Sequence, residues 1–553
     1  MLKSKIVWRI VGIIFAVLVG MVINYFALPA WNIQSAGLWL FVLIEVIIAF
    51  VFQAAIEFFF DEEFTVTKIG AISTAVIVVA FIVCGLTGAK IFNASNYQKM
   101  VTIEEGDFEK DINPVQNVSN ISIVDMETAE SVGDRTVGSI ENSAWYEVDN
   151  EYNLIKYQGQ QYRISPLNYG GLFKFGEASK RGIPGYVLVN TQTQDAQYVE
   201  LSEGMQYSPS AYWDKDLRRH LRGQYPSYVF GNHYFEIDEE GNPFWITSVK
   251  TSSIGVFGGK REDSFILTNA ITGESDEYTV ADLPEWVDHA FDLQYLMDVA
   301  GYNLEYKDGF WNSFTSQTGV LKTTYEFRSK KRDSDGDEKE DTPFAGYNTA
   351  ITSDGDIVFY TGLTPASKAE SNVGFLLANP RTGVIKKYTC SGAEESSAAA
   401  SAESLVQDLK YVATFPTILN VNGNETYFML LKDKAGLVQR YALCNVKNYT
   451  KVVQATTLEE AVEQYKKKLG VTTETANETE ETLKAEGTIK NLYQAQLDGC
   501  TYYYFTLDDK TDLYMSSIKN SNKQVMLTEG TKVKIEYKDT SEKGVFAVTS
   551  IQF

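Results

Sequence analysis

Glu45 is a carboxylate deep inside a long apolar run, Leu38 to Phe60, and is the residue of this sequence whose setting most demands an account. A carboxylate at that depth is costly in hydrocarbon and by default marks a functional position. It lies about 10 Å below the nearer boundary at 1.5 Å per residue. Asn24, near the end of the preceding apolar run, is the expected partner at similar depth. A protonated Glu45 that hydrogen-bonds a neighbouring helix would fix bundle packing. Ion or proton coupling would need a relay, which a single carboxylate at that depth does not make.

The other reactive residues do not assemble into a motif. His220, His233 and His289 occur singly, without H-E-x-x-H spacing for a metal. No G-x-S-x-G elbow is present. Gly255-Val-Phe-Gly-Gly-Lys260 is one residue short of a phosphate loop and is followed by Arg261, so a Gly-rich strand connection is expected. Asp333-Ser-Asp335-Gly-Asp337 places its Gly two positions too early for a calcium-binding EF-hand. Cys84, Cys390, Cys444 and Cys500 form neither a disulfide framework nor a zinc site. The expectation is a non-catalytic protein with no catalytic residue, no metal ligand and no cofactor.

Three apolar runs must position Glu45: Ile10 to Leu28, Leu38 to Phe60, and Ile69 to Phe92. Each is long enough to cross roughly 30 Å of hydrocarbon as a helix. The first is too long for a signal-peptide core, and Leu28 stands where a small residue should precede cleavage, so an uncleaved anchor is expected. Lys3, Lys5 and Arg9 precede the first run, while the link to the second carries no charge. The positive-inside rule therefore predicts a cytoplasmic N-terminus, and three spans put everything after about residue 93 outside. Trp31 and Trp39 fall at the outer boundary.

The chain has 553 residues and a net charge of −23, and residues 1–95 carry five basic and five acidic side chains. The negative charge therefore belongs to the remainder, which repels phosphate backbones, so nucleic acid is not an expected partner. That remainder is rich in Tyr and Phe (33 and 31 in the chain), as a folded, strand-rich body should be. A hairpin pattern recurs in it: an apolar strand, Asn, two residues, Thr, usually Gly, then a strand bearing Tyr. The copies centre on Asn190, Asn269 and Asn379, with a fainter one through Phe428 to Leu431, Gly436 and Tyr441. A helix is predicted before each, over Met126–Ile140, from Ser208-Pro209 to Arg222, from Asp282 to Gly301, and over Ser397–Val412. Helices alternating with antiparallel strands describe α+β modules.

The repeated Leu-x-Asn-x-x-Thr-Gly turn after a helix resembles PepSY-type and cystatin-like modules. The segments IPGYVLVNTQTQ, GVFGGKREDSFILTNAITGES, LPEWVDHAF and GFLLANPRTG resemble a Gram-positive family of membrane proteins with no assigned activity. The resemblance covers about residues 120–470.

The predicted fold class is thus three N-terminal transmembrane α-helices (residues 1–95), a stalk (96–120), and an α+β extracytoplasmic body of repeated helix-plus-antiparallel-sheet modules (121–470). A Thr/Glu-rich linker (471–486) and a small all-β OB- or SH3-like barrel (487–553) complete it. The expected function is membrane-anchored binding or scaffolding in a bacterial cell envelope. The expected partners are the lipid bilayer and an envelope protein, peptide or glycan; the alternative is a regulatory or accessory subunit of an envelope enzyme or transporter.

Overall fold

A computed structural model describes residues 2–60, 64–116, 118, 121–138, 143–325, 346–367, 371–470, 483–497, 500–508, 510, 512–518, 522–539 and 544–553. The charge run 328–341, with its calcium-like aspartates, lies outside the described residues, as does most of the linker. The chain divides into two compact units, Met1–Leu469 and Gly470–Phe553.

The first unit opens with helices α1 (Leu2–Ala27), α2 (Ala36–Phe60) and α3 (Thr65–Thr87). Stretches of 22, 24 and 23 residues within them are long and apolar enough to cross a membrane. A fourth helix, α4 (Lys90–Gln98), follows α3 directly.

Four sheets then follow in chain order. The first has five strands between Tyr146 and Met205, the second four between Phe230 and Tyr278. The third has six and takes in Ile103–Glu105 as well as strands from Leu321 to Ala393; the fourth has five between Val412 and Ala455. Helices α5 (Met126–Val137), α6 (Leu217–Gln224), α7 (Leu293–Glu305), α8 (Glu395–Ser404) and α9 (Leu458–Leu469) are interleaved with them.

The middle sheets bury both faces. In the second, Phe235, Trp245 and Ile266 share a core with the first sheet, while Tyr234, Ile246, Phe265 and Leu267 share another with α7 and the third sheet. In the third, Phe359 and Leu376 face α7, and Tyr360, Phe375 and Leu377 face α8 and the fourth sheet. Strands buried on both faces need apolar residues at consecutive positions, which is why Phe265-Ile-Leu and Phe375-Leu-Leu are unbroken runs.

The three hairpin turns are built by the same local bonds. The side-chain Oδ1 of Asn190, Asn269 and Asn379 accepts the N–H groups two and three residues on, all at 2.8–3.1 Å. The next residue after the Thr bonds back to the Asn carbonyl with positive φ: +79° at Gly273, +73° at Gly383, and +64° at Gln194. Glycine meets that conformation without strain, whereas Gln194 bears a cost. The strand registers match too. Tyr278 and Tyr388 sit opposite Phe265 and Phe375, four residues before the Asn, but Tyr198 sits opposite Val187, three before it. A one-residue offset at constant register turns Tyr198 to the opposite face of its sheet.

Three expectations need correction. Residues 96–120 do not form a stalk: Ile103–Glu105 pairs in parallel with Ile385–Lys387, and Ile112 and Val115 are buried. The segment from Asp282 is not helical until Leu293. The N–H groups of Asp288, His289 and Asp292 are taken by Glu236 and Glu262 of the second sheet instead of by helix carbonyls. The helix expected from Ser208 begins only at Leu217, where Asp216 caps it by accepting from Arg219 N at 2.7 Å.

The second unit holds a closed five-strand barrel, ordered Leu483–Leu497, Cys500–Leu507, Leu513–Ser517, Val545–Gln552 and Lys532–Asp539. Its first strand starts at Leu483 rather than Gly487, because residues 483–488 pair with the strand from Lys532. Its core of Phe505, Tyr514, Ile535 and Tyr537 is its own. Deleting residues 470–553 should therefore leave the thermal unfolding of the remaining chain nearly unchanged in calorimetry. A large loss of midpoint would show that the two units share stabilising contacts.

Candidate functional site

Glu45 comes to rest against Gly20 of α1, where an added Cβ would lie 2.6 Å from its Oε2. Gly20 thus lets the two helices close around a carboxyl group. Asn24 is one helical turn away from that level, about 6 Å along the axis. Among the described residues no hydrogen bond joins it to Glu45, whose Oε1 has no partner. The expected pairing is not formed, because the register of α1 on α2 sets Glu45 opposite a glycine.

The carboxylate that ties the bundle together is Glu57, at the other end of α2. Its side chain is 1% exposed. It accepts from Val66 N and Thr67 N at 2.8 Å, from Thr67 Oγ1 at 2.7 Å, and from Arg9 Nη2 at 3.2 Å. A side chain of α2 therefore caps the first turn of α3, where orphan N–H groups and the positive end of the helix dipole favour an anion. The same group anchors α1 through Arg9. The available sequence signal was an Arg and a Glu near the same ends of two adjacent spans.

The body grips this bundle at its opposite end. Arg219 Nη1 donates to Tyr25 O at 2.6 Å, with its guanidinium 3.9 Å over the Tyr25 ring. Arg222 Nε donates to Leu28 O at 3.2 Å. These basic residues of α6 serve carbonyls at the C-terminus of α1, which its own backbone cannot satisfy. Gln34, in the α1–α2 connection, exchanges two hydrogen bonds with Ser252. The Gly255–Gly259 loop completes the junction: Val256 N donates to Thr87 Oγ1 at 3.3 Å, and Phe257 lies 5.2 Å from Phe81 and 6.2 Å from Trp39. It is a strand connection docked on the ends of α2 and α3.

The histidines are likewise absorbed by structure. His220 packs at a tilt against Tyr207, ring centroids 4.2 Å apart, and bonds Gly273 O. His233 bonds Thr247 Oγ1 and is pushed down to about 4 by burial. His289 stacks on Tyr234 at 3.8 Å and is pushed down to about 4 by burial.

Beside His289 lies a group of acids, with Glu236 and Asp292 buried and Asp288 half-buried. Glu236 accepts the N–H groups of Asp288 (2.9 Å) and His289 (2.6 Å), and Asp292 Oδ2 accepts from the Tyr234 hydroxyl at 2.8 Å. Burial raises Glu236 well above the carboxylate range and pushes Asp288 up to about 7. Their oxygens are spent on backbone donors, so the cluster clamps the 283–292 segment.

A pH dependence follows. Unfolded, Asp288 ionises near pH 4, so between about 4 and 7 the folded chain binds more protons and its stability falls as pH rises. His233 and His289 act in the opposite sense between about pH 6.5 and 4. Asp288→Asn can still accept from Lys156 N but has no proton to hold. Its stability relative to the parent should therefore increase from pH 4.5 to 8, by at most about 1.4 kcal/mol per pH unit. Denaturant titrations across that range give the difference; a gap independent of pH would sink the assignment.

The remaining feature is a cavity of about 640 Å³. It is walled by residues of 112–116 and 121–125, the first sheet, the 348–357 hairpin of the third, and the fourth sheet. Leu154, Leu419, Phe428 and Leu430 line it with Arg163, Lys156, Gln192 and Asn348. Arg163 is only 7% exposed. Its Nε donates to Val124 O at 3.4 Å and its Nη1 to Tyr152 O at 3.2 Å. Nothing in the sequence marked Arg163, which sits within a strand of mixed polar and apolar residues, Gln160–Tyr169.

No family model matches the chain, and no curated protein matches it.

Proposed function

We propose that this protein is a membrane-anchored, extracytoplasmic binding or scaffolding protein of a bacterial cell envelope, acting without catalysis. One observation carries the reading: a cavity of ligand size, walled by three sheets, in a body fastened to three membrane-length helices. Cavities of roughly 300–1,000 Å³ are the usual size for small-molecule sites. The common turn chemistry at Asn190, Asn269 and Asn379 supports treating the body as repeated PepSY-like modules. The closed barrel is of a size suited to an OB- or SH3-like recognition domain. Lys3, Lys5 and Arg9 favour a cytoplasmic N-terminus.

A second reading, an accessory subunit of an envelope enzyme or transporter, draws on Glu45. A carboxyl oxygen without a partner in the bundle is what a further membrane helix could satisfy.

Two measurements on wall-free cells test these readings. External protease should digest the body and leave a protected fragment ending near residue 95; a body that resists until the membrane is opened would refute the topology. Photo-crosslinking from the body should capture envelope components. Capture of a single membrane enzyme or transporter, through residues near Glu45, would favour the second reading.

A further inference from the structure

Five N–H donors project from a guanidinium, and the protein spends two of those of Arg163. Among the described residues no carboxylate lies within ion-pair distance of it. The acid whose charge acts on it, Asp125, is beyond ion-pair distance and committed elsewhere: Oδ1 accepts from Thr128 N at 3.0 Å, and Oδ2 pairs with the buried Lys432 at 2.6 Å. A buried charge without a close counter-ion is costly, and the cost is recovered when an anion completes the pair. The donors that remain, on Nη2 and Nη1, are the ones that meet a carboxylate or phosphate in two-point fashion.

The rest of the cavity says what that anion carries. Leu154, Leu419, Phe428 and Leu430 provide an apolar wall, while Lys156, Gln192 and Asn348 provide polar groups. We infer that the cavity binds a small amphipathic molecule whose carboxylate or phosphate head pairs with Arg163 and whose apolar tail lies along the fourth sheet. The inference rests on the binding-protein reading and names its ligand class. The net charge of −23 does not oppose it, because exposed charges are largely screened beyond about 10 Å at 0.1 M salt whereas a buried pair is not.

The test uses the full chain in lipid nanodiscs, with empty nanodiscs subtracted, and titrates hexanoate, hexyl phosphate and 1-hexanol by calorimetry and saturation-transfer NMR. At least one anion should bind at one site per chain, tenfold or more tighter than 1-hexanol; which anion wins separates a carboxylate from a phosphate ligand. Arg163→Gln should remove that preference and leave the alcohol's weak binding unchanged. Gln192→Trp, whose side chain fills the cavity from a turn, should abolish binding of all three probes without lowering the thermal midpoint. If Arg163→Gln does not fold, Gln192→Trp decides alone. Equal affinity for anion and alcohol, or anion binding that survives Gln192→Trp, overturns the inference. If neither anion binds while crosslinking still captures envelope partners, the ligand class is wrong and the binding reading stands.

Discussion

Glu57→Leu should uncouple the three membrane helices. It removes the acceptor for Val66 N, Thr67 N, Thr67 Oγ1 and Arg9 at a position that is 1% exposed. Hydrogen bonds in membranes average only about 0.6 kcal/mol each, but breaking a buried ion pair on one side costs about 3–5 kcal/mol. A loss of about 2–4 kcal/mol is expected in mixed-micelle unfolding followed by tryptophan fluorescence. Glu57→Gln keeps one oxygen as an acceptor and should fall between. Arg9→Met should cost less than Glu57→Leu, since Arg9 is one-third exposed and the two α3 amides keep their acceptor. A Glu57→Leu protein as stable as the parent would show that α3 starts without its cap.

Sequence legibility tracked how local each cause is. The Asn-x-x-Thr turn is decided within five residues, by side-chain acceptors that bond their own backbone, so its three sites were visible in advance. The membrane-length helices were visible because hydrocarbon imposes length and composition on each separately. The barrel strands were visible through their alternation and the turn near Gly530. The 283–292 segment was not, because Glu236 and Glu262 reach it from other strands and outcompete the helix that its local pattern favours. The apparent stalk failed for a similar reason: three residues beginning at Ile103 find a sheet edge more than 280 positions later. Arg163 and Glu57 are the extreme cases, since their identity says only that a charge is present. Their partners, or the lack of one, arise from packing between distant segments.

Arg222→Met should loosen the body from the bundle more than any other single change at the junction. Arg222 is 9% exposed, and burial lowers its pKa to about 10, which leaves it charged at neutral pH. It donates to Leu28 O, Tyr225 O and Pro226 O at 3.2 Å and to Tyr228 O at 2.6 Å, and lies 4.4 Å over the Phe230 ring. Methionine fills the space but leaves Leu28 O and Tyr228 O without their donor, whereas Pro226 O keeps Trp31 N and Tyr225 O keeps Tyr228 N, and each buried unsatisfied group costs about 1–3 kcal/mol. Those costs do not add fully, because the 225–228 loop can shift toward water, so a loss of about 2–4 kcal/mol is the expectation. Arg222→Lys should rescue in part: Nη1 alone serves Tyr225 O, Pro226 O and Tyr228 O, which one ammonium can also reach, but the Nε bond to Leu28 O is lost. Arg218→Ala, exposed on the same helix, should stay within about 0.5 kcal/mol of the parent. Hydrogen exchange resolves where the change occurs, with protection lost at Trp31 N, which donates to Pro226 O, before it is lost in the second sheet. A lysine variant with unchanged protection there would mean that charge alone holds the junction and that the fork geometry is not required.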